Sequence, residues 1–172
     1  AVFGVNDGLI SNASLIMGVA GSGKTTVGTR LASLLGWGFA DADDFHSAEN
    51  IQKMASGVPL TDDDRRPWLE DLRSLVSRYA TMEENLVLAC SALKQSYRAF
   101  LTSANPRATT VYLKADEELV RSRLPRRRGH YMPAALLHSQ FEALEEPVDA
   151  IAISAVLPPD RIVAVIRQSL GL

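Results

Sequence analysis

Gly18-Val19-Ala20-Gly21-Ser22-Gly23-Lys24-Thr25 follows the pattern GxxxxGK[ST], and its reading decides the fold. Glycines let a backbone wrap closely around a phosphate and turn several N–H groups inward. A helix starting at the lysine adds the positive end of its dipole. Lys24 then neutralises the β and γ phosphates, and Thr25 offers a hydroxyl to Mg²⁺. The flanks supply the context this chemistry needs. Residues 15–18 form a short apolar run ending in glycine, which suits a buried strand. Residues 24–35 carry Val27, Leu31, Leu34 and Leu35 at helical spacing, and Gly36 stands where a C-cap glycine would. Strand, glycine-rich loop and helix together imply a nucleoside triphosphate site.

Working outward, strands alternate with helices. Residues 37–41, 86–90, 109–113 and 150–154 read as further strands. Pro67 is placed to open a helix whose stripe is Trp68, Leu72, Leu75, Val76 and Tyr79. Residues 94–103 form another helix, and residues 116–124 one that Pro125 stops. Pro133 restarts a helix with Leu136, Leu137, Gln140, Phe141 and Leu144 along one side. Asp160 is placed to cap the closing helix, which carries Ile162, Val163, Ile166 and Leu170. The expectation is an α/β domain of three layers, α/β/α, around a five-stranded parallel sheet. Right-handed crossovers put the strand C-termini, and any ligand, along one edge.

The 172 residues suit one domain, expected over residues 15–172. Eighteen basic against 20 acidic residues leave a net charge of −2, which argues against a nucleic-acid partner. Cys90 is the only cysteine, which excludes an intramolecular disulfide framework and a multi-cysteine metal site, and a reducing cytosol is the simplest setting. No positive segment precedes the apolar start, so a signal peptide is not expected. The apolar run at residues 15–20 falls far short of the roughly 20 residues a membrane span needs.

Beyond the loop, the candidate site residues cluster at predicted strand ends. Asp41 and Asp43 close the second strand, and strand geometry would point them to the same side. One could serve the magnesium shell and the other accept a proton from an attacking hydroxyl; a solvated turn is the competing reading. His46 has a polyol hydrogen bond as its functional reading, and Lys53 sits in a short helix after it. Arg65 follows Asp62-Asp63-Asp64 and could reach a substrate carboxylate or pair with those aspartates. Trp68 belongs to the core stripe. Lys94 and Arg98, four apart, would share a helix face toward an anion. Arg121, Arg123, Arg126, Arg127 and Arg128 lie between two helices, broken by Pro125 and ended by Gly129, as in a lid over about 124–132 that closes on phosphates.

Together these stretches resemble the gluconate kinase family of small sugar-acid kinases. The matching stretches are GVAGSGKTT at 18–26, DADDFH at 41–46, KMASGVPLTDDDRRPWL at 53–69, CSALKQSYR at 90–98, RLPRRRGHYMP at 123–133 and LLHSQFEALEEP at 136–147. The resemblance implies a P-loop NTPase domain, nucleoside-monophosphate-kinase-like, with a short lid. It implies phosphorylation of the 6-hydroxyl of D-gluconate by ATP with Mg²⁺, in a cytoplasmic protein that is often a homodimer. Carried over by position, Gly18, Val19, Ala20, Gly21, Ser22, Gly23, Lys24, Thr25 and Thr26 would bind ATP with Arg123 and Arg127. Lys24, Asp41, Asp43 and Arg127 would be catalytic, and Thr25 and Asp41 would serve the metal. Asp43, His46, Lys53, Arg65, Lys94, Arg98 and His130 would bind the acceptor. The family often has glycine where Ala42 stands. A related kinase acting on shikimate or a nucleoside monophosphate, and a nucleotide-binding switch of low turnover, are the competing readings.

Residues 4–21, GVNDGLISNASLIMGVAG, separately resemble the first membrane segment of the vacuolar iron transporter family. Nothing downstream continues that resemblance, and residues 1–14 are read as an atypical leader, disordered or foreign.

Overall fold

The computed structural model describes residues 14–18, 23–123 and 134–172. Residues 1–13, Val19, Ala20, Gly21, Ser22, Arg127, His130 and the lid expected at 124–132 lie outside the described residues.

The strand–loop–helix unit forms as its pattern requires. β1 (Ser14–Gly18) leads to α1 (Lys24–Leu35) through Gly23, whose φ of 88° is a left-handed conformation natural to glycine. Gly36 closes α1 in the same region and donates its N–H to the Ala32 carbonyl. β2 (Gly38–Asp41) then runs into a 3₁₀ turn (Ala42–Phe45) and α2 (Ala48–Ala55). The Tyr79 ring passes so close to Gly38 that a Cβ there would meet it at 2.6 Å.

α3 (Asp62–Thr81) begins five residues before Pro67, so Pro67 lies inside the helix instead of opening it. The reason is a capping box. Thr61 Oγ1 accepts from the Asp64 N–H at 3.2 Å, and Asp64 Oδ2 accepts from the Thr61 N–H at 2.9 Å. Pro67 then forgoes one helical bond in the second turn, which the buried Trp68, Leu69, Leu72, Leu75 and Val76 offset. β3 (Leu86–Ala89), α4 (Gln95–Thr102), β4 (Ala108–Lys114), α5 (Glu117–Arg123), α6 (Ala134–Glu142), β5 (Ile151–Ser154) and α7 (Pro159–Leu170) are the remaining elements among the described residues. Asp160 does not cap α7, whose N-cap is Pro158; its carboxylate pairs with Arg30 of α1 instead.

The five strands form one parallel sheet in the order β2-β3-β1-β4-β5. Alternation along β3 divides the core. Val87 joins one cluster with Val27, Leu31, Ile162 and Ile166 from α1 and α7. Leu86 and Leu88 join the other with Trp68, Leu72, Val76 and Leu101 from α3 and α4. Helices therefore cover both faces, making three layers. In register, Asp41 lies beside Ala89, and Ala89 beside Met17. The end of β2 and the start of the glycine-rich loop thus share one edge. Among the described residues no helix is long and apolar enough to cross a membrane.

Candidate functional site

Lys24 is only 2% exposed, at the first position of α1. A buried ammonium requires partners, and β2 provides them. Lys24 Nζ donates to Asp41 Oδ1 at 3.0 Å and to Asp43 Oδ2 at 2.9 Å. Thr25 Oγ1 donates to Asp41 Oδ2 at 2.6 Å, and the Asp43 N–H donates to Asp41 Oδ1 at 3.1 Å. The two carboxylates converge, but not by strand alternation. β2 ends at Asp41, and the 3₁₀ turn swings Asp43 back over it.

The two carboxylates differ in freedom. Asp41 accepts from Lys24, Thr25 and the Asp43 backbone, and its side chain is 11% exposed; that of Asp43 is 34% exposed. Burial alone would raise the Asp41 pKa. The Lys24 charge, the Thr25 hydroxyl and the Asp43 N–H outweigh it and hold the carboxyl below its usual range. Burial likewise pulls Lys24 down, and the two aspartates overcome it, so the ammonium is held above its usual value. Both groups are charged at neutral pH. The pair of oxygens on Thr25 and Asp41 is a hard donor set suited to a divalent cation of the magnesium type.

Trp68 secures the turn from the α3 side. Its Nε1 donates to the buried Ala42 carbonyl at 2.7 Å, and its ring stacks on His46 with centroids 4.7 Å apart. Burial pushes His46 below its usual pKa, with Arg65 and Lys24 adding to the effect and Asp43 opposing it. The imidazole is therefore neutral at pH 7.

The other cations divide by what already holds them. Lys53 donates to Asp64 Oδ1 at 2.6 Å and ties α2 to α3. Lys94, at the N-cap of α4, donates to both Asp62 oxygens at 2.7 and 2.8 Å, and the Tyr97 hydroxyl also donates to Asp62. Arg98 is 4% exposed and is taken up by backbone carbonyls: Nη1 donates to Ala92 and Leu93, and Nη2 to Glu145. Lys94 and Arg98 thus do not face one anion together. Lys94 meets a carboxylate of α3, while Arg98 clamps the β3–α4 loop to the segment after α6. Arg66, not Arg65, pairs with Asp63. Among the described residues the Arg65 side chain has no hydrogen bond or ion pair, and its charge acts on both His46 and Tyr97. Thr26 is exposed, and Arg123 ends α5. Cys90 is fully buried, and burial pushes its thiol up to about 12, so it is no nucleophile.

Sequence reasoning missed two contributors. Trp68 read as core, and its indole N–H carried no signal beyond a polar handle three residues after Arg65. Asp62 read as one of three aspartates within reach of Arg65, and its bond to Lys94 across α3 and α4 is legible only in the fold.

Residues 20–148 match the protein-family profile described as "Shikimate kinase". The thermosensitive gluconokinase of Escherichia coli is 47% identical over 133 residues, covering 77% of this chain and 71% of that protein. The thermoresistant gluconokinase of the same organism is 40% identical over 154 residues, covering 87% and 88%. The crystal structure of a gluconokinase from Sinorhizobium meliloti superimposes with a TM-score of 0.81 at 39% identity, over 92% of this chain and 91% of that one. With a buried lysine tied to two strand-end carboxylates, a P-loop kinase fold and these relatives, the chain belongs to the gluconokinase family.

Proposed function

We propose that this chain transfers the γ-phosphoryl group of ATP to the 6-hydroxyl of D-gluconate, giving 6-phosphogluconate and ADP. One observation carries the reading. The Lys24–Asp41–Asp43 cluster lies at the strand edge, and Arg65, a guanidinium with no partner among the described residues, acts electrostatically on the same His46. A phosphate-binding lysine beside a free cation suits an acceptor that bears both a hydroxyl and a carboxylate. Family membership supplies the sugar acid.

The transfer is direct and in line. A bond forms between the acceptor oxygen and the γ phosphorus, and the bond to the leaving ADP oxygen breaks. The hydroxyl proton passes to Asp43. Asp43 suits this role because it is the more open carboxylate, whereas three donors occupy Asp41. Thr25 and Asp41 are the residues that would hold Mg²⁺, which when bound offsets phosphate charge. Lys24 neutralises the phosphates and Arg65 orients the acceptor through its carboxylate. His46, neutral and stacked, suits a polyol hydroxyl. Gly18, Gly23, Thr26, Arg123 and Arg127 complete the ATP site. A cytoplasmic homodimer acting on a small molecule, without nucleic-acid or membrane partners, completes the proposal; the near-balanced charge and the single buried thiol support it.

ADP release with Mg-ATP, measured with D-gluconate, shikimate, other sugar acids and no acceptor, tests the reading. A gluconate-dependent rate is the expected result. A rate only with another acceptor overturns the assignment of the acceptor. Silence with every acceptor, alongside ATP binding, points to a nucleotide-binding switch instead.

A further inference from the structure

We infer that Trp68 is a positioning residue for phosphoryl transfer: one indole of α3 fixes the turn that carries Asp41 and Asp43 and sets its place relative to Arg65. The inference rests on the proposed roles of those three residues.

Three observations lead to it. The indole N–H donates at 2.7 Å to the carbonyl of Ala42, the residue between the two aspartates, and Ala42 is fully buried. The indole face lies 4.7 Å from the His46 ring at an interplanar angle of 9°. His46 is the C-cap of the same 3₁₀ turn. The side chain therefore holds the turn near its start by a hydrogen bond and at its end by stacking. Trp68 also follows Arg65 by three residues, so both project from one side of one turn of α3. A shift of that helical turn moves the acceptor cation and the catalytic carboxylates together.

A merely packed tryptophan would need neither polar contact. Core packing is satisfied by area and shape, and a phenylalanine recovers much of both. The N–H is different. Without it the buried Ala42 carbonyl loses its side-chain donor and the turn its hydrogen-bonded tie to α3, so the turn can relax about Asp43. Misplacement of a reacting group by about 1 Å can cost on the order of a hundredfold in rate.

The test compares the parent with Trp68→Phe and with a variant carrying benzothienylalanine at position 68, which keeps the bicyclic shape and lacks the N–H. Trp37→Phe serves as the background for the latter. Leu72→Ala is the control for loss of packing, since Leu72 lies in the same buried cluster and its side chain can make no hydrogen bond to the turn. Both Trp68 variants should lower kcat by about ten- to a hundredfold and leave the KM for ATP within about twofold, while Leu72→Ala lowers melting temperature with kcat kept. Hydrogen exchange of the Asp43 amide should accelerate in both Trp68 variants relative to amides of α1. If Trp68→Phe fails to fold, the isosteric variant decides. Unchanged kcat with unchanged Asp43 exchange overturns the inference, as does an equal loss of kcat in Leu72→Ala. A parent with no gluconate-dependent turnover overturns the functional reading instead, and the Asp43 exchange then decides the role of Trp68 alone.

Discussion

Two cationic regions flank the strand edge, and they differ in how the protein answers their charge. At the end of β2, Lys24 is sealed within the fold and held by two carboxylates. Across α2, α3 and α4, Lys53, Lys94 and Arg98 are each already engaged, while the Arg65 guanidinium has no partner among the described residues. Under the proposed function, incoming phosphates would draw Lys24 away from Asp41 and Asp43 and free those carboxylates for the metal and the hydroxyl. On the same proposal the acceptor, by contrast, would meet a guanidinium with no side-chain bond to break. A cation's place in the sequence shows where charge is, but its partners decide whether that charge is available.

The strongest way to break this contrast is Lys24→Ala. Loss of the phosphate-binding ammonium should reduce kcat/KM by about a thousandfold or more. The fold should also suffer, because the substitution leaves Asp41 buried without its cation, at a cost of about 3 kcal/mol. Turnover assays and chemical denaturation measure the two effects separately. Near-parent activity would remove Lys24 from the phosphate site. Full stability would mean that the carboxylates do not depend on it.

Asp43→Asn and Asp41→Asn sharpen the division within the first region. Asp43→Asn should lower kcat by about a hundredfold with little change in the Mg²⁺ requirement. Asp41→Asn should raise the Mg²⁺ concentration needed for half-maximal rate, since it replaces the anionic oxygen of the Thr25–Asp41 pair with a neutral amide oxygen. Titrations of rate against Mg²⁺ distinguish them, and identical curves would erase the separate roles. In the second region, Arg65→Ala should raise the acceptor KM by about ten- to a hundredfold, the value of one charge-assisted contact, and leave the KM for ATP alone. Lys94→Met should raise it less, because Asp62 already holds that ammonium. Equal effects from the two variants would contradict the ranking by free charge.

These contrasts explain what could be read from sequence. The loop, its flanking strand and helix, and the alternation of elements follow from local spacing, and Gly36 behaves as a cap glycine because the left-handed region demands it. Asp41 and Asp43 were legible as a pair, but for the wrong local reason: a 3₁₀ turn, not a pleat, brings them together. Arg65 was found beside three aspartates, yet its freedom depends on Asp63 choosing Arg66 and Asp62 choosing Lys94. Arg98 has a helix spacing that suits an anion site, and only tertiary folding brings the Glu145 carbonyl to it. Helical or strand period is local information, whereas the partner of a long charged side chain is set by whatever the topology puts opposite.

The smallest expected effect separates stability from catalysis. Lys53, first among the causes, and the Thr61 backbone hold the Asp64 carboxyl down to about 2, below its ordinary 3.8. A carboxylate with a depressed folded pKa stabilises the fold above its unfolded pKa, and that contribution disappears as pH falls through the folded value. Asp64 therefore helps the native state throughout the neutral range and loses its influence between about pH 4 and pH 2. Asp64→Asn should flatten the acid limb of the stability curve in that window, with the KM for ATP and for the acceptor unchanged at pH 7. The site is solvent-exposed, so salt should weaken the effect. Denaturant midpoints at several pH values check it. Were Asp64→Asn to alter the acceptor KM as strongly as Arg65→Ala, the capping box would belong to the acceptor site, and the line between the two kinds of charge would have to be redrawn.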